Sequence, residues 1–95
     1  MSEGDFLIAL ERVKSENFES NRITAAKRIV NNNCFTVGQI EQLCRLLEFD
    51  NNRLEFVKFA YPRCVEQGRY YMLRNLLTFD SHKQELDKFL DEQAR

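Results

Sequence analysis

Ninety-five residues allow one domain around a single contiguous core, and 43% hydrophobic with 31% charged residues excludes the composition of a disordered chain. Fourteen Lys and Arg against fifteen Asp and Glu leave a net charge of −1, which excludes the broad basic footprint of a dedicated nucleic-acid binder. Three glycines, one proline and an excess of helix formers point to an all-α domain spanning residues 1–95.

The opening Met1-Ser2-Glu3-Gly4-Asp5 lacks the basic and apolar regions of a secretory signal, and no apolar run approaches the roughly 20 residues that span a bilayer. The expectation for the chain as written is therefore a cytoplasmic protein without a transmembrane segment. A first helix is expected at about 4–16, with Phe6, Leu7, Leu10 and Val13 on one face, and a second at 20–31, with Ile23, Ala26, Ile29 and Val30. Asn31-Asn32-Asn33 loosen the joint that follows. The third helix, 36–48, opens on a Thr36/Gln39 capping box with Phe35 and Ile40 at staple positions.

In the fourth helix, 50–63, Leu54, Phe56, Val57, Phe59, Ala60 and Tyr61 leave only Glu55 and Lys58 polar, so it must be covered on several sides and sits at the centre. Asp50 is expected to cap it and Phe49 to staple onto Leu54, while Pro62, lacking the amide that would bond to Lys58, ends or kinks it. Gly68 loosens the next joint. A fifth helix is expected at 67–78 and a sixth at 81–93, the latter opened by a Ser81/Gln84 capping box and carrying Leu86, Phe89 and Leu90.

These elements contain an internal repeat. Phe18-Glu19-Ser20-Asn21-Arg22-Ile23, Phe49-Asp50-Asn51-Asn52-Arg53-Leu54 and Phe79-Asp80-Ser81-His82-Lys83 lie 31 and 30 residues apart, the size of one helix-turn-helix unit. Three consecutive helical hairpins, six short helices in all, are thus expected to stack as a short superhelical module. Its core should contain Phe18, Phe35, Leu43, Leu46, Leu47, Phe49, Leu54, Val57, Tyr61, Leu73, Leu76, Leu77 and Phe79. Arg22, Arg53 and Lys83 recur near a helix start, where a cation opposes the dipole, so Glu19, Asp50 and Asp80 are expected to offset them in a structural bracket.

The run Phe49 to Tyr61, preceded by Thr36-Val37-Gly38-Gln39-Ile40 and followed by Arg69-Tyr70-Tyr71 and Phe79-Asp80-Ser81, resembles the domain-of-unknown-function family 4476 over about residues 6–90. That family occurs in bacterial proteins, many of them exported, and in the amino-terminal region of an animal protein rich in proline and serine. The resemblance implies a helical fold and carries no catalytic residue to this chain.

No site chemistry stands out from the residues. His82 is the one histidine, and no Ser or Cys nucleophile is arranged beside it; a hydrolase built on it ranks a distant third among the functional readings. Cys34, Cys44 and Cys64 are scattered and odd in number, which suits free thiols in a reducing compartment, with Cys44 buried and Cys34 reachable, better than disulfides or a zinc site. No cofactor or metal is expected. The group that rises above background is Lys58, Arg63, Arg69 and Arg74 with Tyr61, Tyr70 and Tyr71, since Tyr and Arg anchor interfaces most often. The leading expectation is a monomeric, non-enzymatic module that binds a protein or peptide through Arg63, Arg69, Tyr71 and Arg74. The alternative is nucleic acid or anionic lipid at Arg63, Arg69 and Arg74 with the neighbouring tyrosines.

Overall fold

Helix α1 (Glu3–Lys14) starts where the Ser2 hydroxyl accepts the Asp5 amide at 3.2 Å, and acidic residues fill its first turn and basic ones its last, matching the helix dipole. The computed structural model describes residues 1–94. Four more α-helices follow among them: α2 (Glu19–Asn31), α3 (Val37–Cys44), α4 (Asp50–Ala60) and α5 (Asp80–Gln93). The fold is all-α, with no strand among the described residues. One isolated parallel bridge pairs Phe35 with Cys64, the Phe35 amide donating to the Arg63 carbonyl and the Val65 amide to the Phe35 carbonyl, each at 2.9 Å.

One short-range signal held in full. Thr36 accepts the Gln39 amide at 3.2 Å while the Gln39 side chain accepts the Thr36 amide at 3.1 Å, a complete capping box. Helix α4 touches α2, α3 and α5, and Leu54, Phe56, Val57 and Ala60 are buried on it, as expected of a central element. Along one side α2 packs on α4 and α4 on α5; along the other, α1 packs on α3 and α3 on the segment 67–76.

The expected fifth α-helix is instead a 3₁₀ helix, Gln67–Leu76. Tyr70, Leu73 and Leu76 are buried at intervals of three, and a three-residue turn places all of them on one side, where an α-turn of 3.6 would rotate them off it. Helix α3 stops at Cys44 rather than 48, because the Leu46 and Leu47 amides bond three residues back to Leu43 and Cys44. Helix α4 passes at Pro62 into a single 3₁₀ turn, Tyr61–Arg63.

The repeated Phe-Asp/Glu element works differently from its sequence reading. Phe18, Phe49 and Phe79 are the N-caps of α2, α4 and α5, make no side-chain cap, and are 68%, 60% and 59% exposed, so they leave the core and Phe49 is no buried staple. Asp50 likewise does not cap its own helix, and Ser81 with Gln84 forms no capping box, since α5 begins at Asp80. The acids reach forward to the next joint. Glu19 accepts the amides of Glu48 and Phe49 and the side-chain amide of Asn52 at 2.5, 2.8 and 2.9 Å. Asp50 accepts the amides of Thr78 and Phe79 at 2.6 and 3.2 Å and meets His82 Nδ1 at 2.6 Å.

The arginines complete each joint. Arg22 Nε donates to the Glu16 carbonyl and Nη1 to the Leu46 carbonyl, at 2.8 and 3.0 Å; Arg53 repeats this on Leu47 and Leu76 at 2.7 and 2.9 Å. Each cation ties off carbonyls in its own joint and in the following one, which are the groups left over where helices end.

Candidate functional site

The 3₁₀ geometry that turns Tyr70, Leu73 and Leu76 inward leaves Tyr71 66% and Met72 40% exposed. Tyr71 and Met72 line a cleft of about 520 Å³ between this segment and α3, together with Arg74, Leu76, Glu41 and Arg45. Of the four expected binding residues, the structure brings Tyr71 and Arg74 together here. Arg69 lies beside the cleft with its Nη2 3.8 Å from Met72 Sδ, and Arg63, in the 3₁₀ turn before the segment, does not line it.

Each arginine at this surface has an acid. Arg45 meets Glu41, Arg69 meets Glu66 and Arg74 meets Asp87, all at 3.1 Å. Such exposed pairs contribute little to stability, yet they cancel the local field that would attract a polyanion. Glu66 is further committed, because its Oε1 accepts the Val37 amide at 3.0 Å.

The rest of the expected Tyr and cation group disperses. Tyr70 is fully buried with its hydroxyl donating to the Val57 carbonyl, and burial pushes its phenol far above the ordinary range. Tyr61 packs edge-on between Tyr70 and Phe89, at 5.0 and 5.6 Å. Lys58 pairs with Glu85 of α5 at 2.9 Å. Sequence reasoning missed Glu41, Arg45 and Met72, since Glu41 and Arg45 read as an ordinary i,i+4 pair on a solvated face and only the packing of α3 against the 3₁₀ segment makes them a cleft wall.

A second cleft, about 400 Å³, opens between α4 and α5 with Asn51, Glu55, Lys58, His82 and Glu85 around it. Its imidazole is held by Asp50, and no Ser, Thr or Cys lines it. Among the described residues, no group of three or more His, Cys, Asp or Glu is placed to hold a metal ion, and no helix is long and apolar enough to cross a membrane.

The thiols are separate. Burial pushes Cys44 up to about 12 and raises Cys64, whereas Cys34 is exposed. A thiol-alkylating reagent applied to the native protein is therefore expected to modify Cys34 first, with Cys44 and Cys64 reacting only after denaturant is added. Peptide mass mapping checks this, and equal rates at the three positions would contradict the burial.

A family model described as a domain of unknown function (DUF4476) matches residues 1–90. No curated protein and no solved structure matches the chain.

Proposed function

Given that the chain belongs to the DUF4476 family, we propose that it is a non-catalytic module of three stacked helical hairpins that binds a protein or peptide in the cleft between α3 and the 3₁₀ segment. The observation that carries this reading is the exposed pair Tyr71 and Met72 beside two arginines already neutralised by Glu41 and Asp87. An exposed tyrosine offers large contact area with little entropy to lose, a methionine adapts to the shape it meets, and arginine pairs with partner carbonyls at the rim. The repeat reading is supported by the two rows of helix contacts and the twice-used joint. Nucleic acid or anionic lipid is the weaker reading, because Arg69 and Arg74 carry acids and only Arg63 of that set lacks an ion pair among the described residues.

The test is affinity capture from native lysate with wild type and a Tyr71→Ala, Met72→Ala double variant, washed at moderate salt. Both positions are exposed, so the variant should melt within about 0.5 kcal/mol of wild type. Partners that are retained by wild type and lost by the variant are expected. Undiminished capture by the variant removes the cleft, and recovery of nucleic acid alone, released as salt rises, overturns the protein-binding reading.

A further inference from the structure

The two internal joints are built from the same parts, and the parts for a third are present at opposite ends of the molecule. Glu19 and Asp50 each receive two backbone amides and one side chain from the following joint, and Arg22 and Arg53 each reach a carbonyl there. At the equivalent positions of the last copy stand Asp80, exposed, and Lys83. Among the described residues neither side chain makes a hydrogen bond or ion pair. Carrying the repeat spacing back to the first copy identifies the groups such a pair would engage. They are the amides of Asn17 and Phe18, the Ser15 carbonyl and the Asn21 side chain, matching Thr78, Phe79, Leu76 and His82 of the second joint. All four residues are exposed, and these groups too are without a partner among the described residues.

Both ends carry charges that are free of ion pairs among the described residues. Asn21 lines a shallow cleft between α1 and α2 with Arg12, Glu16 and Arg28, of which Arg28 has no ion pair among the described residues. On α5 at the other end, Asp80, Asp91 and Glu92 are without ion pairs among the described residues, as are Lys83 and Lys88.

We propose that copies of this chain associate head to tail, with Asp80 of one copy accepting the Asn17 and Phe18 amides of the next and Lys83 donating to its Ser15 carbonyl. The occupant is a second copy because the receiving groups reproduce those of the two internal joints. The contact is heterologous, so it leaves a free end at each step and extends with concentration. Being polar on both sides, it is weak, and it departs from the monomer expected from sequence.

Sedimentation velocity on the chain from about 10 μM to about 1 mM tests it. The variants are Asn21→Glu, which sets a carboxylate opposite Asp80, and Asp80→Lys, which removes the acceptor; both positions are exposed, and circular dichroism verifies that both variants stay folded. The weight-average mass of wild type is expected to rise toward twice the monomer or beyond, and each variant alone to stay at the monomer mass. An equimolar mixture of the two should associate again, because the intact Asp80 end of one meets the intact Asn21 end of the other. A wild type that stays monomeric to about 1 mM overturns the proposal. So does association that persists in both variants, or a mixture that remains monomeric.

Discussion

Tyr70→Ala is expected to destabilise the domain by about 3–5 kcal/mol, the range for removing a fully buried aromatic ring. The ring fills the space where α4, the 3₁₀ segment and α5 meet: it packs edge-on against Tyr61, which packs in turn on Phe89, and its hydroxyl bonds the Val57 carbonyl of α4. Tyr70→Phe keeps the ring and drops the hydroxyl, so it should cost about 1 kcal/mol. Urea unfolding of both variants separates packing from hydrogen bonding. Since domains of this size are stable by about 5–15 kcal/mol, the alanine variant should lose a large fraction of its stability and unfold at a clearly lower urea concentration. A cost below about 1 kcal/mol for Tyr70→Ala would mean the site collapses freely, contrary to the close packing around it.

Asp50→Ala is expected to cost about 2–4 kcal/mol, less than the sum of three charge-assisted hydrogen bonds because Thr78 and Phe79 lie at the surface, where water replaces part of what is lost. Phe49→Ala, one residue earlier, should change stability by no more than about 0.5 kcal/mol, since its ring is mostly in water. This ordering reverses what the sequence pattern suggests, and thermal melts of the pair check it.

The same joint gives a pH dependence. Partial burial alone would raise the Asp50 carboxyl, but the Thr78 amide, His82 and the Phe79 amide outweigh it and hold the group below its ordinary value. Glu19 is likewise lowered, with burial outweighed by the Glu48 amide, the Asn52 side chain and the Phe49 amide. A carboxyl lowered by folding stabilises the native state above its unfolded value and loses that contribution as pH falls through the folded one. Stability should therefore drop below about pH 4, and the drop should be smaller in Asp50→Ala. An unchanged acid limb in that variant would remove Asp50 as a contributor.

Part of what is encoded within a turn or two of chain was legible before folding, although the Asp50 cap, the Phe49 staple and the Ser81/Gln84 box, equally short in range, did not form. The Thr36/Gln39 capping box needs groups three residues apart, the stripe of Phe6, Leu10 and Val13 on α1 follows from 3.6-residue periodicity although Leu7, expected with them, is 50% exposed, and the all-round apolar α4 could only be central. The free thiols and the all-α class were legible for the same reason, since composition and spacing bear on them directly. The repeat itself was visible at 31 and 30 residues, but its use was not. Packing decided that Glu19 and Asp50 serve amides 28 to 30 residues ahead rather than their own helices, because those donors become neighbours only when α2 packs on α4 and α4 on α5. It also decided that Phe18, Phe49 and Phe79 face water and that the segment after Gly68 winds as 3₁₀, which puts Tyr71 and Met72 on a cleft wall supplied by α3. A side chain's type limits which bonds it can make, but coverage and bonding partner are properties of what the rest of the chain brings to it.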